Sequence, residues 1–412
     1  MQKATSMRAL DHMSHEQKLV MASTASGFSL ENMDIMFLSF ALTPIIAELH
    51  ISSGAAGLIG SITNVGMLVG GALFGILGDK IGRVKTFSHT ILIFAVATAL
   101  MAFANNLWMI YGLRFLAGIG AGGEYGVGIA LIAESFNHDR IGRMTSVAAI
   151  GGQIGAIIAA LAASVILPLW GWHALFLIGV LPVALTFFVR KHLKESEQFL
   201  QAQQVAKQKH ERVAFSELFK TRQLATQTLG LMVMTIVQIA GYFGLMNWLP
   251  VIVQKQQGLS VSGSALWMVA TIAGMCCGMA VFGNILDHLG PRWAFGLFLT
   301  ASALIVFTIT LAHSSAVLVL IGAVVGFCAN GMFGGYGAVI SQLYPARIRS
   351  TANNVIMNVG RAIGGFSSVV IGLLMDHYTL TITMGFLSAL YVISLLTMLS
   401  LPGLKQLSVR RA

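Results

Sequence analysis

Charge is scarce in this sequence: Asp, Glu, Lys and Arg make up 10% of its 412 residues, against roughly 25% in an ordinary soluble domain. So few charged groups cannot cover a chain that is 56% hydrophobic with a mean hydropathy of +0.80, so the bilayer must be its main solvent. Cysteine is nearly missing. The three present, Cys276, Cys277 and Cys328, lie in apolar stretches, which leaves no disulfide framework and no metal-ligand spacing. No HExxH, GxSxG or Walker pattern occurs, and there is no acid pair joined to a histidine cluster. Those absences argue against a membrane enzyme and against a nucleotide-driven pump, and no cofactor is expected. The first 18 residues are polar, with no small-residue cleavage site after a short apolar core, so the first apolar run is expected to be an uncleaved span.

What is abundant is apolar sequence in lengths that cross a membrane, about 20 residues each. Runs near 20–47, 54–78, 86–104, 107–135, 144–167 and 172–190 are followed by a polar stretch, then by runs near 224–253, 262–286, 293–311, 314–343, 350–375 and 380–401. The expected fold is an all-α membrane protein of twelve transmembrane helices. Its expected parts are residues 1–191 as one six-helix bundle, 192–222 as a cytoplasmic linker and 223–412 as a second bundle. Assigning the N-terminus and every second loop to one side places 22 of the 25 Lys and Arg residues there. By the positive-inside rule that side is cytoplasmic, with both termini on it. The net charge of +10 is then a topology signal that needs no nucleic-acid partner.

The halves repeat at an offset of 208 residues. Gly75, Asp79 and Gly82 map onto Gly283, Asp287 and Gly290; Gly118 maps onto Gly326; Glu134 onto Gln342; Gly152 and Gln153 onto Gly360 and Arg361. One offset serving four segments marks an internal duplication, and parallel six-helix repeats are a transporter architecture. The loop after the second span, Gly75-Ile-Leu-Gly78-Asp79-Lys80-Ile81-Gly82-Arg83-Val84-Lys85, has a degenerate copy from Gly283 to Arg292. This pair of loops resembles the signature of the major facilitator superfamily. The resemblance implies a carrier working by alternating access, with Asp79, Arg83, Lys85, Glu134, Arg143, Asp287 and Arg292 as gating groups at the cytoplasmic boundary. The sixth span ends in Lys194-Glu195-Ser196-Glu197-Gln198-Phe199, similar to the ending of sugar and organic-acid porters but without its proline. In the fourth span Gly118, Gly120 and Gly123 match a dinucleotide fingerprint by accident, since no strand precedes them. The spacing Gly118, Gly122, Gly126 instead lets another helix approach closely.

Five ionisable residues remain in or beside the hydrocarbon: Glu31, Asp34, Arg114, Glu124 and Arg361. Each costs about 2.5–3.5 kcal/mol at the bilayer centre and needs a partner, a wet cavity or a proton. Embedded acids suit proton transfer because their neutral form is the cheaper one to bury, which makes Glu31, Asp34 and Glu124 candidate proton carriers. Glu31-Asn32-Met33-Asp34-Ile35 resembles the first-helix segment of aromatic-acid and nicotinate-type symporters, and the segment from Asn358 to Gly364 resembles their Gly-Arg-x-Gly segment. On that likeness Arg361 would hold a substrate carboxylate through its planar fork, with Asn358 and Gln153 adding hydrogen bonds. Arg361 as an internal partner of Glu124 or Asp34 is the alternative. Arg114 is expected to tune a nearby acid or to snorkel outward. Gln238, Tyr242, Asn247, Trp248 and Tyr125 are expected to line the cavity, although Trp248 also fits an interfacial anchor.

The combined expectation is a monomeric, proton-coupled symporter in a prokaryotic cell membrane that imports a small aromatic or heteroaromatic carboxylate. A carrier of another metabolite, such as a sugar or a zwitterion, is the second expectation, supported by Gly122-Gly-Glu124-Tyr125-Gly126. A drug exporter is the third.

Overall fold

The computed structural model describes residues 13–208, 214–257, 261–311 and 315–409. Sixteen α-helices are present among them. In the first half they are α1 (His15–Leu49), α2 (Ser53–Ile81), α3 (Arg83–Leu100), α4 (Leu107–Ser135), α5 (Ile141–Leu177) and α6 (Leu181–His192). A connecting helix α7 (Glu197–Gln208) leads to α8 (Arg222–Gln257), α9 (Val261–Leu289), α10 (Pro291–Ile305), α11 (Ser315–Gly331), α12 (Phe333–Leu343), α13 (Arg349–Gly364), α14 (Ser367–His377), α15 (Leu380–Ser400) and α16 (Pro402–Val409).

Eleven stretches among the described residues are long and apolar enough to cross a membrane, one fewer than the twelve expected. One of them, Ile141–Leu185, is 45 residues long, or about 68 Å at 1.5 Å per residue, over twice the hydrocarbon thickness. It does not run straight. Gly171, at φ 74°, is non-helical and follows Pro168 by three residues. Only glycine takes that left-handed backbone freely, so the fifth and sixth expected spans part here. The tenth and eleventh expected spans are each broken as well, at Met332 and at Gly365-Phe366, giving α11–α12 and α13–α14.

Helix pairing follows the sequence duplication. In the first half α2 packs on α4 and α1 on α5; in the second, α9 packs on α11 and α8 on α13. The two bundles meet through α2 with α13 and through α5 with α9, contacts that exchange under the same offset. Glycine permits the closest approaches. A Cβ on Gly122 would lie 2.0 Å from the Met67 carbonyl oxygen, and one on Gly118 would lie 2.2 Å from that of Thr63. Because the obstacle is backbone, neither can relax cheaply. Gly122→Val is therefore expected to cost more than the 1–3 kcal/mol typical of overpacking, read as a lower melting temperature in detergent, whereas Gly112→Val, with open space around its Cβ, should melt as wild type.

Candidate functional site

At the basic end, two carboxylates join the bundles in the same way. Asp79, at the end of α2, accepts hydrogen bonds from the Ser350 and Thr351 amides at 3.1 and 2.8 Å and from the Thr351 hydroxyl at 2.6 Å. Asp287, at the end of α9, accepts from the Gly142 and Arg143 amides, both at 2.8 Å. Each acid thus supplies the side-chain cap that the opposite bundle's helix, α13 or α5, lacks in its own sequence, where unpaired amides and the positive end of the helix dipole favour an anion.

The surroundings of the two caps differ. Arg83, fully buried, pairs with Asp79 at 2.6 Å and Glu134 at 3.2 Å, and it also donates to the Ala346 carbonyl across the bundle boundary. Ser196 donates to Glu134 at 2.6 Å, and Glu195 accepts from the amides that open α3, including those of Arg83 and Val84. On the other side Arg143 pairs with Asp287 at 3.2 Å with its side chain 28% exposed. Of the remaining expected gating groups, Lys85 is exposed and Arg292 donates to the Leu399 carbonyl. Within the linker, partial burial works to raise the Glu217 carboxyl, but hydrogen bonds and charge from Arg347 and Lys220 outweigh it and hold the group below its ordinary value. That pairing is complete above ordinary carboxylate pKa values and is lost only as pH falls through the lowered one. Glu217→Gln should therefore leave the transport profile between pH 5 and pH 8 unchanged, as measured by uptake.

Above this closed end lies a cavity of about 240 Å³ between the bundles. Five aromatic side chains stand on its wall among aliphatic ones: Phe28 stacks on Tyr125 with centroids 5.4 Å apart, and Tyr242, Phe243 and Phe333 belong to the second bundle. Among the expected site residues, Glu31, Arg114, Tyr125, Gln153, Tyr242 and Arg361 all line it. Arg361 of α13 reaches across to Glu31 of α1 at 2.6 Å and lies 5.7 Å above the Tyr125 ring. Asp34 takes a different cation. It accepts from Arg114 at 2.9 and 3.0 Å and from Thr98 at 2.9 Å, so the partner of Arg361 is neither of the two acids considered from sequence.

Asn358 is placed away from the cavity wall: its amide donates to the Gly122 carbonyl at 2.8 Å. Beside it Asn354 accepts from the Gly126 amide at 2.6 Å and donates to the Gly123 carbonyl at 3.1 Å. Both asparagines therefore hold α13 to the glycine-rich backbone of α4. Gln238 stands one layer back, donating to Asn330, which does line the cavity. Glu124 is also behind the wall, fully buried, and neither of its carboxyl oxygens has a hydrogen-bond partner. The side chains of Asn247 and Trp248 lie outside the described residues. Residues that sequence reasoning missed are Thr63 and Thr98, which serve the Asp34–Arg114 pair, and Asn64, Asn330, Phe243 and Phe333 on the wall. A lone Thr, Asn or Phe inside an apolar run carries no pattern that singles it out.

Two bundles related by duplication, a cavity between them and mutual capping at one end are the parts of an alternating-access carrier. The Major Facilitator Superfamily family model matches residues 24–368 and 265–410. The chain belongs to that superfamily. It is a multi-pass membrane transporter of small metabolites, not an enzyme. A Haemophilus influenzae protein, named provisionally as a metabolite transport protein, is 38% identical over 93% of this chain and 95% of its own length. Two Acinetobacter baylyi proteins are each 27% identical: a cis,cis-muconate transport protein, over 88% of both chains, and a niacin transporter, over 84% of both. The structure of a proton:xylose symporter superposes with a TM-score of 0.78 at 16% identity, covering 97% of this chain and 100% of that one. This last likeness concerns the fold alone.

Proposed function

We propose that the protein imports a small aromatic or heteroaromatic carboxylate together with a proton, and that its basic face is cytoplasmic, in a bacterial cell membrane. The observation that carries the reading is the Arg361–Glu31 pair at 2.6 Å on the wall of an aromatic-lined cavity. A guanidinium is suited to a carboxylate in two-point contact. Here that place is already taken by the protein's own carboxylate. A proton on Glu31 removes the competitor and frees Arg361 for the substrate anion, so anion and proton bind together and the cavity's net charge is unchanged. Tyr125 and Phe28 offer ring faces beside the cation, and Gln153 a polar group. The niacin and muconate carriers among its relatives carry acids, which agrees with a cation at the site.

Asp79 and Asp287, with Arg83, Glu134 and Arg143, would hold the cytoplasmic side closed; breaking these caps would let the bundles rock apart. Asp34, held by Arg114 and Thr98, would support the shape of the site or share in proton movement. The two roles separate on Asp34→Asn: a proton carrier lost there abolishes gradient-driven accumulation and spares counterflow exchange, whereas a shaping role lowers both.

Nicotinate and nicotinamide test the carboxylate assignment, since the two differ in charge with nearly the same shape. Labelled nicotinate should enter proteoliposomes under an inward pH gradient, with benzoate competing and nicotinamide weaker by about 100-fold, the scale of a lost charge-assisted pair at roughly 3 kcal/mol. Equal competition by nicotinamide would remove the carboxylate from the account.

A further inference from the structure

Glu124 is a buried acid that the cavity does not reach. It sits on α4, and its neighbours are close: a Cβ on Gly27 of α1 would lie 2.3 Å from its Oε1 and 3.0 Å from the Phe87 ring of α3. The charged groups acting on it are Glu31, one turn beyond Gly27 on α1, and Arg361 of α13. One turn toward the basic end the same three helices meet again, where a Cβ on Gly128 would lie 2.9 Å from Thr24 and 3.3 Å from Phe87. The hydroxyls of Ser23 and Thr24 on α1 and of Thr86 on α3 are wholly buried and without hydrogen-bond partners.

Those three hydroxyls are unlike the others nearby. A buried helical Ser or Thr ordinarily donates to a carbonyl one turn back, as Ser88 does to Val84 at 2.9 Å and Thr90 to Phe87 at 2.8 Å. Buried polar groups without protein partners are satisfied in native proteins by internal water. Ser23, Thr24, Thr86 and Glu124 therefore mark positions for a short file of waters between α1, α3 and α4. From Glu124 to Glu134, ten residues further along α4 and within the closed end, the rise is about 15 Å, with Thr24 beside Gly128 on the way.

We propose that the proton leaves by a path of its own, from Glu31 to Glu124 and then through waters held by Thr24, Ser23 and Thr86 to the cytoplasmic face, without crossing the substrate cavity. The proposal rests on the proton-coupled reading above. Once substrate has departed, Arg361 pairs again with Glu31 and displaces its proton. Glu124 accepts that proton and passes one to the adjacent water, and the last water of the file delivers one to the cytoplasm. Charge is conserved at every step. The return of Arg361 to Glu31 is the gate, since an anion on Arg361 keeps the proton on Glu31.

The test is the double variant Thr24→Val/Thr86→Val, which keeps side-chain volume and removes both hydroxyls. The control is Thr90→Val, whose hydroxyl is satisfied within its own helix. Wild type and variants are reconstituted with the dye pyranine inside and offered labelled nicotinate, benzoate or cis,cis-muconate. For the double variant, gradient-driven uptake and acidification of the lumen should fall about fivefold or more and slow further in D2O, as expected when proton transfer limits turnover. Counterflow at equal pH, which needs no proton release, should stay near the wild-type rate, and Thr90→Val should match wild type in both assays. If driven uptake is unchanged, or falls in step with counterflow, the path is wrong while the coupled reading stands. Wild-type uptake that is insensitive to a protonophore, or undetectable for all three acids, overturns the coupled reading and the path with it.

Discussion

Arg361→Gln is expected to abolish uptake of every carboxylate the protein carries, with a fall in kcat/KM of at least about 100-fold, or roughly 3 kcal/mol. Two losses combine. The substrate anion has no cation to meet, and Glu31, with its side chain 1% exposed, keeps a buried carboxylate whose partner has gone. Removing one member of a buried pair typically costs 3–5 kcal/mol, so lower yield or melting temperature should accompany the loss. Glu31→Gln/Arg361→Gln separates the two effects: it has no stranded charge and should regain stability without regaining uptake. Arg361→Lys keeps the charge but not the planar fork, and some transport with weaker substrate affinity is expected. Uptake by Arg361→Gln at wild-type affinity would remove Arg361 from the site.

The second large effect is expected at the closed end, and it is unequal between the symmetry mates. Asp79→Asn weakens the cap on α13 and leaves the buried guanidinium of Arg83 with Glu134 as its remaining acid within 4 Å. Asp287→Asn weakens the equivalent cap on α5, but Arg143 is partly exposed and water can solvate it. Asp79→Asn should therefore shift the protein toward the form open at its basic end by about 3–5 kcal/mol, as for other broken buried pairs. Asp287→Asn should shift it by nearer 1 kcal/mol, the scale of a helix-terminal charge. Near-isosteric Ser350→Cys, which packs on α2 at Gly78, and Ser146→Cys, which packs on α9 at Gly283, would report this on a background without the three native cysteines. Labelling at position 350 should accelerate with Asp79→Asn, and labelling at position 146 much less with Asp287→Asn. Equal acceleration would mean that the Arg83 cluster adds nothing to closure.

Much of this architecture is legible in the sequence because the bilayer enforces it. Apolar runs, the sidedness of Lys and Arg, and the repeat at 208 residues all report constraints acting along the chain, and they are enough to read the fold. Gly171 separates the fifth and sixth expected spans within a few residues of where the polar pattern does. The breaks at Met332 and Gly365-Phe366 fall among glycines, Gly331, Gly334 and Gly335 at the first and Gly364-Gly365 at the second, but glycine in a membrane helix serves close packing as readily as a bend, so the sequence does not mark an interruption there.

The list of intramembrane charges was legible too, but their pairing was not. Glu31 and Asp34 are three residues apart on one helix, and only the packing of α13 and α4 around it decides that the first takes Arg361 and the second Arg114. Asn358 shows the same limit. It shares a stripe with Arg361, yet close contact between α13 and the glycines of α4 turns its amide to a carbonyl of α4. Glycine spacing announced that α4 could be approached closely, without saying which helix would do so on each face.

The central claim is that one proton enters with each carboxylate because both answer to the Arg361–Glu31 pair. The most direct measurement follows both fluxes in the same proteoliposomes, with labelled nicotinate and internal pyranine, in wild type and Glu31→Gln. Wild type should admit protons and substrate in a fixed ratio near one, both abolished as net accumulation by a protonophore, while Glu31→Gln should exchange substrate without proton movement. Substrate accumulation in wild type with no accompanying proton, or unchanged coupling in Glu31→Gln, would contradict the account.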